Sequence, residues 1–103
     1  MAQIDFSTSA RRDLAASYRY LEEQAGRPVA ERFLAGVQAS CEQLMTMPYM
    51  APQMAFEPPF DQMRRWPVKG FDRWSVVYRI EAAGLFVIRV LHGARDLPRT
   101  LVC

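Results

Sequence analysis

Val87-Ile88-Arg89-Val90-Leu91-His92-Gly93-Ala94-Arg95-Asp96-Leu97 runs from an apolar strand into a glycine-containing turn. The turn presents the only histidine of the chain, flanked by Arg89 and Arg95. A lone imidazole between two guanidinium groups suits phosphate or RNA chemistry. What the stretch does depends on the strands and helices that precede it.

The segment before it predicts a hairpin. Val76, Tyr78 and Ile80 share one face of a strand over about Trp74–Glu81. Phe86, Ile88, Val90 and His92 share one face of the next, over about Leu85–His92. Joining these faces into one core surface requires an odd loop, and Ala82-Ala83-Gly84 supplies three residues. The opposite face then carries Val77, Arg79, Val87 and Arg89, so Arg79 and Arg89 are expected on the same side. A third strand is expected over about Met63–Val68, where Pro67 indicates an edge position.

The N-terminal part reads differently. Ile4 and Phe6 alternate with polar residues as a short first strand. Ser7, Thr8 or Ser9 caps a helix whose apolar positions are Leu14, Tyr18, Leu21 and Ala25, and Gly26 ends it. Pro28 suits the first turn of a second helix, with Val29, Phe33, Val37, Cys41 and Leu44 as its stripe, widened by Leu34 and Met45. Pro48 stops it. The minimal Gly26-Arg27-Pro28 link predicts an antiparallel helical hairpin. Residues 48–61 hold four prolines and the apolar Met50, Met54, Phe56 and Phe60, which predicts an ordered loop. The fold expected is α+β: an N-terminal strand, then a helical hairpin packed on a three- to four-stranded, mostly antiparallel sheet. Residues 1–103 form one domain.

Composition narrows the classes. No apolar run approaches the ~20 residues that span a bilayer. The start Met1-Ala2-Gln3-Ile4-Asp5-Phe6 is not a secretory signal, so a cytoplasmic protein without membrane contact is expected. Cys41 and Cys103 match no metal-ligand spacing and read as reduced thiols; no metal or cofactor is expected. The net charge of +2 is unevenly spread: residues 1–61 carry −3 and residues 62–103 carry +5. Twelve of the thirteen basic residues are Arg, whose planar fork suits carboxylate and phosphate alike. An anionic partner for the C-terminal part and a solvated charged face both fit this asymmetry.

The order strand, two helices, three-stranded meander resembles the RelE/ParE toxin superfamily, and specifically its ParE-like branch. Ala10, Asp13-Leu14 and Tyr18 resemble its first helix, and Ala30, Phe33, Leu44 and Pro48 its second. Val68-Lys69-Gly70-Phe71, Val77-Tyr78-Arg79 and Ile88-Arg89-Val90-Leu91-His92 resemble its sheet. The resemblance implies the toxin of a bacterial type II toxin–antitoxin pair. It implies a hetero-oligomer with a cognate antitoxin, a small acidic DNA-binding protein, through which alone the complex meets operator DNA. ParE-like members poison DNA gyrase and block replication, whereas RelE-like members cleave mRNA on the ribosome. Fold alone does not choose between these activities.

The ParE-like resemblance implies gyrase inhibition by binding, with no catalytic residue favoured. The alternative is a ribosome-dependent mRNA endonuclease using His92 as acid with Arg89, Arg79 and Arg65 as cations. Lys69 is the only lysine, so the lysine set of RelE-like enzymes is missing. His92 otherwise reads as a partly buried residue hydrogen-bonded at a strand end, with Asp96 as a candidate partner. A third reading is a degenerate toxin that keeps antitoxin binding alone. Antitoxin and target contacts are assigned to Arg64, Arg65, Lys69, Arg73, Arg79, Arg89 and Arg95. Trp66, Phe71 and Trp74 interleave with the first four; such a pattern binds single-stranded nucleic acid, finishes a core or receives a partner's apolar side chains. Met45, Met47, Met50, Met54 and Met63 fill a core under the loop or form an adaptable surface.

Overall fold

The computed structural model describes residues 3–53 and 62–93. Its elements are β1 (Gln3–Phe6), α1 (Thr8–Ala25), α2 (Arg27–Thr46), β2 (Arg64–Val68), β3 (Phe71–Glu81) and β4 (Gly84–His92). The expectations for Met54, Phe56, Phe60, Arg95, Asp96 and Cys103 lie outside the described residues.

Local chemistry explains the helix boundaries. Ser7 caps α1: its Oγ accepts from the Ala10 N–H at 2.9 Å. Gly26, at φ 94°, ends α1 and starts α2, and Pro28 occupies the first turn of α2. Tyr18 donates to Glu31 Oε1 at 2.8 Å and so ties the two helices together. That hydrogen bond raises the Tyr18 pKa above its ordinary value.

The sheet order is β1-β4-β3-β2, with β1 parallel to β4 and the other pairs antiparallel. β2 is an edge strand, as Pro67 predicts, and its pairing slips between Pro67 and Val68. The helices pack on one face of this sheet. The core between the layers holds Phe33, Val37, Cys41 and Leu44 from α2 and Trp74, Val76, Tyr78, Val87 and Val90 from the sheet. Gly36 brings α2 onto the β2–β3 turn: an added Cβ would stand 2.5 Å from the Lys69 carbonyl oxygen. Buried Ser40 completes that contact, donating to the Gly36 carbonyl and accepting from the Lys69 N–H, both at 2.8 Å. Tyr78 donates across the core to the Pro48 carbonyl at 2.7 Å.

The hairpin differs from its sequence expectation. Its loop is Ala82-Ala83 alone, because Glu81 pairs with Gly84. Leu85 and Val87 therefore lie opposite Ile80 and Tyr78 on the helix side, in place of Phe86 and Ile88. A bulge then corrects the register: Tyr78 pairs with Val87 but Val77 with Arg89, so Ile88 is the extra residue. Beyond it, Val90 and His92 align with Val76 and Trp74 as expected. Arg79 and Arg89 thus keep the same side by strand alternation, yet their guanidinium groups diverge.

Candidate functional site

The sheet presents two dissimilar sides. Alternation along β3 sends Trp74, Val76 and Tyr78 toward the helices and Arg73, Ser75, Val77 and Arg79 away from them. Pairing adds Arg65, opposite Val77 on β2, and Phe86, opposite Arg79 on β4, to the outer side. Arg65 Nε donates to Ser75 Oγ at 2.9 Å along this face. The Arg79 guanidinium sits 5.0 Å from the Phe86 ring centre and donates to Glu81 at 2.8 Å. Of the expected basic cluster, Arg65 and Arg73 belong here. Arg64 does not: it is opposite Tyr78, lies over the Tyr49 ring at 5.1 Å and donates to the Ala51 carbonyl. Lys69 sits exposed in the β2–β3 turn.

Arg89 does structural work that the sequence did not announce. Its Nε and Nη2 grip both oxygens of Asp13 on α1, at 2.7 and 2.9 Å. Asp13 Oδ2 also accepts the Val90 N–H at 3.0 Å. β1 pairs with β4 only as far as Phe6↔Val87, so the outer edge of β4 beyond it needs other partners. Ser7 supplies two, with its N–H on the Val87 carbonyl and its Oγ on the Ile88 carbonyl. Asp13 supplies the next. The Arg89–Asp13 pair is mostly shielded, with side chains 18% and 15% exposed. Arg89 is therefore committed to holding α1 on the sheet.

His92 is exposed, which corrects the expectation of a partly buried residue; Asp96 lies outside the described residues. Its ring stacks on Trp74 at 4.2 Å and 18°, and lies 6.2 Å from the ring of Tyr20 on α1. Trp74 donates its indole N–H to Ser17 Oγ at 3.1 Å. His92 is thus on the helix side, whereas Arg65 and Arg79 lie on the outer side. The structure does not bring the four nuclease candidates together.

The aromatics of the basic stretch also turn inward. Trp74 is buried, and Trp66 and Phe71 pack against the core. Phe71 and Phe33 meet edge to face at 5.4 Å. Their role is packing, and they do not form a stacking platform for bases. Among the methionines, Met63 is buried, Met45 and Met50 pack on the core, and Met47 is exposed.

Two apolar grooves cross the outer side of the helical hairpin. One, of about 370 Å³, lies between β1 and α2 and includes Ile4, Phe6, Leu14, Leu34, Val37 and Cys41. The other, of about 420 Å³, lies between the helices and shares Leu14 and Leu34 with it. Spacing in the sequence signalled the helices but not these grooves, because Leu34 reads there as core. In the structure it is 37% exposed. Burial raises the Cys41 thiol from 9.0 to about 11, which keeps it protonated and unreactive at neutral pH. Among the described residues no group of His, Cys, Asp and Glu is arranged to hold a metal ion. Among the described residues no helix is long and apolar enough to cross a membrane.

Comparison with known proteins agrees with this architecture. A chain described as a chromosomal ParDE toxin–antitoxin system from P. aeruginosa superposes with a TM-score of 0.73 at 16% identity, over 91% of this chain and 98% of that one. At that identity the likeness establishes the fold. No curated protein matches the sequence. The family model for the ParE toxin of the type II toxin–antitoxin system parDE matches residues 4–97, nearly the whole chain. The chain belongs to the ParE toxin family of type II toxin–antitoxin systems.

Proposed function

We propose that this toxin acts by binding DNA gyrase and blocking replication, without catalysis of its own, and that a cognate antitoxin neutralises it. One observation carries the choice against RNA cleavage. The only imidazole stacks on Trp74 on the helix side, while Arg65 and Arg79 project from the other side and Arg89 is bound to Asp13. A ribonuclease needs its acid and its cations around one phosphate. Here the sheet stands between His92 and both Arg65 and Arg79, and the Arg89 guanidinium is held by Asp13.

The antitoxin engages two surfaces in this reading. Its apolar side chains enter the grooves around Leu14 and Leu34 on the helical hairpin. Its acidic residues meet Arg73 and Arg79, exposed cations on the outer side of the sheet, where Ser75 and Val77 between them are buried. The complex reaches operator DNA through the antitoxin's DNA-binding part.

Induction in bacterial cells tests the proposal. The expected result is an early DNA-damage response and arrested replication while translation continues. Rapid arrest of translation with cut mRNA would instead identify a nuclease. Harmless expression would identify a degenerate toxin.

A further inference from the structure

A separate cleft of about 610 Å³ lies between α2 and the β2–β3 turn, lined by α2 residues other than those of the hairpin grooves. Its floor is made by Val29, Ala35, Gly36 and Ala39 of α2 and by Phe71 of β3. The closeness that Gly36 permits to the Lys69 backbone sets the depth of this floor. Two cations stand at its rim, Arg32 on α2 and Lys69 in the turn, and both are exposed.

Neither cation is neutralised among the described residues. The reason for Arg32 is visible in the sequence. Its helical neighbours three and four residues away are Val29, Pro28, Ala35 and Gly36, none of them acidic. Arg27, one turn earlier, has Glu31 at that spacing. Two positive charges with no ion-pair partner among the described residues thus stand on either side of an apolar strip.

We propose that this cleft binds a short acidic segment of a partner protein, with carboxylates on Arg32 and Lys69 and small aliphatic side chains against Ala35, Ala39 and Val29. Charge complementarity selects an anionic partner. The apolar floor selects a peptide over nucleic acid, because a phosphate backbone would leave that floor without a counterpart. Phe71 offers no free stacking platform, since its ring already meets Phe33 at 5.4 Å and Trp74 at 6.1 Å. The inference is independent of the toxin's target and of the hairpin grooves.

The test is a titration of the full ¹⁵N-labelled chain, followed by amide chemical shifts. The probe is a capped synthetic peptide with two glutamates flanking leucine and alanine. Its controls are the same peptide with glutamines and a short oligothymidylate. Saturable shifts are expected at Val29, Arg32, Ala35, Lys69, Gly70 and Phe71. Arg32→Gln with Lys69→Gln should weaken the acidic peptide by about tenfold, because both charge-assisted contacts are lost. Ala35→Glu places a competing carboxylate in the cleft and should weaken it as well. All three positions are exposed, so the variants retain the fold. Equal binding of the glutamine peptide, shifts centred elsewhere, stronger binding of the oligonucleotide, or no saturation with the acidic peptide would each overturn the proposal.

Discussion

Asp13 concentrates three contacts in one carboxylate: two guanidinium nitrogens of Arg89 and the Val90 N–H. Removing it takes this carboxylate away from a shielded guanidinium and from a strand-edge N–H. Asp13→Ala should therefore cost about 2–3 kcal/mol in urea denaturation, and Arg89→Ala should cost a comparable amount. A double-mutant cycle should show coupling above about 1 kcal/mol. If both single changes are silent, the pair does not hold α1 on the sheet.

Tyr78 gives the core a pH signature. Burial raises its phenol from 10.0 to about 12, because the ionised form is excluded there. The folded pKa exceeds the unfolded one, so this contribution is fully present below pH 10 and lost as pH rises toward 12. Cys41, raised from 9.0 to about 11, acts in the same direction over a slightly lower window. Stability should fall steeply in alkali, and Tyr78→Phe should flatten that fall between pH 10 and 12. At neutral pH the same change should cost about 1 kcal/mol, because the Pro48 carbonyl loses its donor. An unchanged alkaline slope in the variant would assign the loss to other groups.

At the scale of elements, the helices were the most legible part. Ser7, Gly26 and Pro28 each carry local chemistry that marks a boundary, and the α2 stripe has a clear helical period. The hairpin was less so. Leu85-Phe86-Val87-Ile88 is apolar at every position, so period-two alternation cannot say which residues face the helices. The two-residue loop and the Ile88 bulge are both compatible with that run. The parallel pairing of β1 with β4 was also hidden, since it joins residues some 80 positions apart.

Gly84 makes the β1–β4 junction possible. It sits at φ 144°, and an added Cβ would stand 2.0 Å from the Gln3 carbonyl oxygen. Gly84→Ala should displace β1 and abolish hydrogen-exchange protection at Gln3–Phe6, while the α2 core stays protected. Unchanged protection of β1 would show that the junction relaxes around the methyl group.

For the molecule as a whole, charge asymmetry pointed to the basic character of the sheet but not to its two sides. Arg64 and Arg65 are adjacent in sequence and opposite across the sheet. Arg89 and Asp13 are 76 residues apart and in contact. Distribution across the sheet, not spacing along the chain, decides which of these side chains lie together. The antitoxin complex should weaken as salt rises if the Arg-bearing side contributes to it, and weak salt dependence would confine the contact to the apolar grooves.

The most direct measurement is supercoiling of relaxed plasmid by purified DNA gyrase, with the wild-type toxin and with His92→Ala. The account predicts that both proteins block supercoiling to a similar extent. Unimpaired supercoiling by gyrase, together with mRNA cleavage on ribosomes that His92→Ala abolishes, would contradict it.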